Sequence, residues 1–207
     1  MQLTLRKLSC AGLGALLVLF TVTAAVGDHL EPEQRARGKV ESLLCGINVN
    51  WTPIARVLEK YGKPIKLPDY PNESPNPPGG GERKYEWDFE SGITMVVYTM
   101  YSDKPTGTPQ DPFPAGEYAY AVDVKGSSPR GELGRTGRGL ALGDTLDRVK
   151  RIYGPRFLLG QNTLTRFNYV VIQWIDPRTR KEDDTTMDID FDSHGRISHI
   201  ELAADVE

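Results

Sequence analysis

Asp188, Asp190 and Asp192 alternate with Met187, Ile189 and Phe191, and His199 follows in another alternating stretch. Carboxylates repeated at period two share one face of a strand, while the intervening apolar residues turn to the opposite face and the core. Three acids on one face can bind a cation or, beside a histidine, move protons. A calcium loop needs glycine at its sixth position and a closing glutamate at its twelfth. Ser193 stands where that glycine should be, so the stretch reads first as a solvated strand face. A weak calcium site helped by Asp183 or Asp184 is the alternative. His199 is expected on the last strand, sharing a face with Ile197 and Glu201.

The remaining reactive side chains are scattered. His29 lies in a polar lead-in and His194 in a turn, and no two histidines have metal-ligand spacing. No serine sits in a nucleophile elbow. Cys45 follows Leu43-Leu44 with no histidine nearby, which suits a small buried hydrophobe better than a nucleophile. Arg130, Arg135 and Arg138 stand among glycines, a composition that can cradle an anion but here lacks a strand–loop–helix phosphate motif. The sequon Asn72-Glu73-Ser74 matters only in a eukaryotic secretory route. No catalytic residue, metal ligand or cofactor is assigned from these patterns.

Aromatic stripes offer a different chemistry. Tyr85 and Trp87 alternate with acids and share a face with Phe89, and Tyr118 and Tyr120 share another. Trp and Tyr supply large, rigid contact area. Most such residues must build the core, but a sheet covered by helices on one side leaves the other free. Tyr85, Trp87, Tyr118 and Tyr120 are therefore the candidate binding residues.

The elements that position these groups come from an internal echo. Gly46 to Pro64 reads Gly-Ile-Asn-Val, Thr52-Pro53-Ile54-Ala55-Arg56-Val57-Leu58, Tyr61-Gly62-Lys63-Pro64. Gly139 to Pro155 reads Gly-Leu-Ala-Leu, Asp144-Thr145-Leu146-Asp147-Arg148-Val149-Lys150, Tyr153-Gly154-Pro155. Each copy predicts a short helix: about Thr52–Tyr61 with Thr52 as cap, and Thr145–Tyr153 with Asp144 as cap. Glycine stops both. Strands are expected near 85–90, 93–101, 117–124, 165–175, 185–192 and 196–202, with a tight turn at His194-Gly195. Proline-rich loops separate several of them.

Residues 1–27 hold Arg6 and Lys7, no acid, and an uncharged apolar run from Leu8 to Gly27 that ends in small residues. This is the pattern of an export signal, and it would anchor the chain in a membrane only if left uncleaved. Its removal takes away both basic residues, leaving 180 residues with a formal charge of −5. A mildly acidic product has no general attraction for nucleic acid or anionic membranes. Cys45 is then the lone cysteine, so no internal disulfide can form. The sequence thus places the protein in the periplasm or outside the cell. It divides into a signal peptide (1–27), a first helix–sheet repeat (28–125), a glycine-rich linker (126–138) and a second repeat (139–207).

The segment Gly139-Leu140-Ala141-Leu142-Gly143-Asp144-Thr145-Leu146-Asp147-Arg148-Val149, with Tyr153-Gly154-Pro155, resembles the helical opening of BamE/SmpA-type and β-lactamase-inhibitor-protein-type domains. The first copy departs from it with Asn50-Trp51 where Gly143-Asp144 stand in the second, and a single cysteine departs from the disulfide-stapled inhibitors. The resemblance implies extracytoplasmic protein binding through a sheet face or loops, and assigns no functional residue. The expectation is therefore an α+β fold of two tandem helix plus three-stranded antiparallel sheet units, joined into one sheet with the helices on one face. The expected function is non-enzymatic binding of a protein partner through the exposed face. The rival is a small-ligand or calcium-binding protein, or an enzyme, with a pocket between the repeats using Asp188, Asp190 or His199.

Overall fold

A computed structural model of the 207-residue chain describes residues 36–37, 40–49, 52–66, 81–102, 106–108, 111–113, 115–162, 164–165, 167–175 and 182–204. Residues 1–27, expected to be an export signal, His29 and the sequon at Asn72 lie outside the described residues.

Among the described residues, fourteen elements occur in the order β1 (Ala36–Arg37), β2 (Leu43–Leu44), β3 (Ile47–Asn48), α1 (Ile54–Tyr61), β4 (Gly81–Phe89), β5 (Ile93–Ser102), β6 (Thr106–Thr108), β7 (Asp111–Phe113), β8 (Gly116–Lys125), α2 (Leu146–Tyr153), β9 (Leu158–Gln161), β10 (Asn168–Ile175), β11 (Glu182–Phe191) and β12 (Ile197–Ala204). The main sheet has eight strands in the order β1-β10-β11-β12-β8-β5-β4, with β9 also pairing β10. All its pairings are antiparallel except that of β1 with β10. Two small hairpins, β2–β3 and β6–β7, stand apart.

The expected pair of helix-plus-three-strand units is corrected by this arrangement. Among the described residues the protein is mostly β, its two helices are only eight residues long, and the sheet does not divide into two such units. The physical reason is the sheet edge. An unpaired strand presents a row of unsatisfied N–H and C=O groups. Here β8 pairs β12 over Ala121–Lys125, and β1, from before the first helix, pairs with β10 from beyond the second. One hydrophobic cluster runs through the whole sheet, from Tyr85 and Trp87 to Trp174 and Ile200.

Both segments of the echo form helices. Ile54 and Val57 of α1, and Val149 and Tyr153 of α2, are buried, following the helical spacing of their apolar residues. Each helix stops at a glycine in the left-handed region, Gly62 at φ 76° and Gly154 at φ 84°. The predicted caps fail. Pro53 and Thr145 occupy the N-cap positions without side-chain bonds. Thr52 Oγ1 instead accepts the N–H of Asn48, and the Asp144 carboxylate accepts that of Ala141.

Ahead of α1, Ala36 is buried in β1 and Glu41 is buried between β1 and β2. The Glu41 carboxylate accepts N–H groups from Ser42, Leu43 and Arg138 and the hydroxyl of Tyr153, tying this strand to α2 and to the glycine-rich segment. Segment 126–138 does not behave as a flexible linker. Leu133 and Thr136 are buried, Arg130 and Leu133 exchange backbone bonds, and Gly137 N–H donates to Leu43 O. Two arginines there bond to backbone: Arg135 donates to Gly131 O and Gly139 O, and Arg138 to Ile152 O of α2.

Candidate functional site

Alternation along the strands separates two faces of the sheet. Met95 and Val97 of β5, Val122 and Val124 of β8, Met187 and Ile189 of β11, and Ile200 and Leu202 of β12 join the core beneath the helices. Their neighbours in sequence turn the other way, toward a face that no helix covers among the described residues.

Register decides what meets on that helix-free face. Asp188 of β11 pairs with Glu201 of β12, and Glu201 pairs with Asp123 of β8. Three carboxylates therefore stand directly opposite one another across three adjacent strands. The next row brings Asp190 beside His199, and His199 beside Lys125. Like charges directly opposite are destabilising in a sheet, by up to about 1 kcal/mol each. Four acids here share two basic side chains.

The electrostatics reflect that crowding. His199 Nδ1 lies 2.8 Å from Asp190 Oδ2, and Nε2 lies 3.1 Å from Asp123 Oδ1. The second contact is an ion pair off the line of a hydrogen bond, since buried Nε2 has no hydrogen-bond partner. Burial disfavours the charged imidazole, but Asp123 and Asp190 outweigh it and push His199 up to about 9. Asp123 is correspondingly held below the usual range: burial opposes its charge, while His199 and Lys125 more than compensate. Lys125 Nζ lies 3.3 Å from Asp123 Oδ2. Burial, then Glu201 and Asp190, raise Asp188 to about 6 against the opposing charge of His199, and its Oδ1 is buried without a hydrogen-bond partner among the described residues. Burial and Asp123 raise Glu201 as well.

Beside the acids, Tyr98 and Tyr120 lie with ring centroids 6.4 Å apart, and Lys84 Nζ sits 6.0 Å from the Tyr98 ring. A register shift between Tyr98 and Thr99 lets Ala121 pair with Tyr98 and Ala119 with Thr99, leaving Tyr120 as the extra residue beside Tyr98. Both phenols are raised by burial first and then by surrounding carboxylates, including Glu82 for Tyr120.

The four expected binding residues do not form one surface. Tyr85 and Trp87 are buried on the helix side, stacked 6.3 Å apart. Trp87 Nε1 donates to Gly62 O at the end of α1, and Tyr85 OH donates to Glu117. Their apolar area and short reach to these partners make them core, the outcome for most alternating aromatics. Tyr118 is half-buried and its backbone bridges Pro53 at the start of α1. Tyr120 alone of the four joins the aromatic pair on the helix-free face.

The acidic strand also divides differently from the expectation. Asp188 and Asp190 share the helix-free face, but β11 ends at Phe191 and Asp192 caps the turn, accepting N–H groups from His194 and Arg196. A register shift between Asp190 and Phe191 sends Ile197 into the core, so it does not share the face of His199 and Glu201. Cys45 is buried in the tight β2–β3 turn at φ 56°, accepts the Gly134 N–H at 3.2 Å, and is pushed by burial up to about 11. Burial and a raised pKa both disfavour the thiolate that a nucleophile needs.

Sequence reading placed Glu201 on the face of His199 but missed Asp123, Lys125 and Tyr98 as members of a cluster. Each lay in plain alternation with apolar residues. The missing information was which strand lies beside which.

No protein-family model matches the chain, and no curated protein matches it. Among solved structures, a DUF4309 family protein (YjgB) from Bacillus subtilis subsp. subtilis str. 168 is similar at a TM-score of 0.41 and 14% identity. The likeness spans 77% of this chain and 83% of that one.

Proposed function

We propose that this is an exported, non-enzymatic binding protein that engages a protein partner through the helix-free face of its sheet, the partner presenting lysine or arginine to the acids there. One observation carries the reading: Asp188, Glu201 and Asp123 are set opposite one another across three strands. A fold selected for stability alone avoids that row, and local rules are most often broken at functional sites. An incoming cation relieves the repulsion, and the adjacent Tyr98–Tyr120 pair offers rigid contact area beside it. The apolar run of residues 8–27 after Arg6 and Lys7 supports export. The resemblance of segment 139–155 to BamE/SmpA-type and inhibitor-type domains points the same way.

The test is site-specific photo-crosslinking in the native host, with the crosslinker at Tyr98 and, as control, at Arg56 on the exposed side of α1. A partner captured from Tyr98 through a Lys- or Arg-bearing segment is expected. Capture should fall at high salt and in Asp188→Asn/Glu201→Gln, since attraction between partly exposed charges is screened. Equal capture from Arg56, capture through an acidic segment, or none from Tyr98 would overturn the reading.

A further inference from the structure

We propose that Asp123, His199 and Glu201 form a binding site for one divalent transition-metal ion, with zinc the best match. This goes beyond the docking reading and draws on two of the same carboxylates, Asp123 and Glu201, but it is read on the protein alone and does not depend on a partner.

The argument rests on which atoms are already engaged. His199 Nδ1 is held by Asp190 Oδ2 at 2.8 Å, and Asp123 Oδ2 by Lys125 Nζ at 3.3 Å. Those outer contacts leave His199 Nε2 and Asp123 Oδ1 facing each other, 3.1 Å apart. Nε2 is buried with no hydrogen-bond partner of its own. Glu201, directly opposite Asp123, completes a set whose ligand atoms all lie within 4.8 Å of one another. Ligands on a tetrahedral zinc, bound at 2.0–2.2 Å, sit about 3.4 Å apart. One pair of atoms here is thus at near-ligand separation, and a side-chain rotation of Glu201 brings in the third.

The outer shell has the form metal sites use. A metal-bound histidine commonly donates its other ring N–H to a carboxylate, which fixes the ring and the tautomer. Asp190 supplies that carboxylate. Without a metal ion, Nε2 and Asp123 Oδ1 meet only as an ion pair off the line of a hydrogen bond. A divalent ion held between them offsets the carboxylate row more completely.

The donor set also selects the ion. Calcium takes six to eight oxygen ligands, whereas one imidazole and two carboxylates suit zinc and its first-row neighbours. Three protein ligands leave a fourth position open to water or to a donor from a bound molecule.

The experiment uses chelator-stripped protein, titrated with Zn2+ in competition with a chromophoric chelator and with Co2+ followed by its visible absorption. One equivalent per chain is expected, with affinity falling at least thirty-fold in His199→Gln and in Glu201→Gln. Glu86→Gln, a nearby acid on the same face, should bind as the parent does. Should a variant misfold, the parent protein labelled with 15N-histidine decides the matter. Zn2+ must shift the His199 ring nitrogens at one equivalent and leave those of His194 in place. Absence of stoichiometric binding, unchanged affinity in His199→Gln, or a shift confined to another histidine overturns the proposal. Failure here leaves the docking reading standing, and failure of crosslinking leaves the metal site standing.

Discussion

Two carboxylate clusters in this sheet are built on opposite terms. At one end of the helix-side face, Glu117 receives Arg83 Nη1 at 2.9 Å, the Tyr85 hydroxyl at 2.9 Å and the Thr99 hydroxyl. Every charge there has its complement. Across β11, β12 and β8, by contrast, Asp188, Glu201 and Asp123 stand side by side, with Asp190 in the next row and only His199 and Lys125 to offset them. Both clusters hold half-buried acids, so burial alone does not distinguish them. Compensation does. The Glu117 carboxylate meets donors from three side chains, while Asp188, Glu201 and Asp123 face one another across the strands.

Mutations that set the two faces against each other give the largest effects. Trp87→Ala empties a core site and removes the bond to Gly62 O, at an expected cost of about 4 kcal/mol in urea unfolding. Tyr120→Ala on the helix-free face should cost under about 1 kcal/mol. Similar losses for the two would erase the distinction between core and surface aromatics.

Glu117→Ala leaves the Arg83 guanidinium, only 17% exposed, without its partner. The expected loss is about 3 kcal/mol. A value under about 1 kcal/mol would show that the Arg83–Glu117 cluster is no better satisfied than the acidic row.

The pH dependence of the chelator-treated protein probes the other cluster. His199 has a folded pKa raised to about 9 from 6.5. Its stabilisation is therefore complete below pH 6.5 and disappears as pH rises through 9. Asp188, raised to about 6 from 3.8, acts in the same sense at lower pH: it favours the fold below 3.8, and that contribution is lost as pH climbs through 6. Stability should thus fall by roughly 1–2 kcal/mol between pH 6.5 and 9, less than the full 1.36 kcal/mol per unit because solvent screens these groups. His199→Gln should flatten that limb. A profile that rises over the same window would refute the Asp123–His199–Asp190 assignment.

The smallest effect has the most telling sign. Asp188→Asn should stabilise the metal-free protein by about 0.5–1 kcal/mol, because it removes a like charge opposite Glu201. Glu117→Ala must destabilise. If both substitutions destabilise, the acidic row is an ordinary structural cluster.

How far the sequence could be read follows from how local each feature is. Alternation placed Asp188 and Asp190 on one face and Met187 and Ile189 on the other, and Gly62 and Gly154 ended two helices where expected. Local patterns failed where a residue had a competing partner. Thr52 bonds back to Asn48 rather than capping α1, and Asp192 caps a turn instead of extending the acidic face. Glycine content made segment 126–138 read as a linker, but buried Leu133 and Thr136 fasten it beside β2.

From the sequence alone came the elements themselves: strand alternation, apolar helix stripes and glycine stops, each set by neighbours within a few residues. Only the tertiary structure brought Asp123 beside Glu201, and so made a site from residues 78 positions apart in the chain. The reason is that a strand's pattern states which face each side chain takes but not which strand lies alongside. Pairing of β8 with β12, and a one-residue shift at Tyr120, supplied that missing choice.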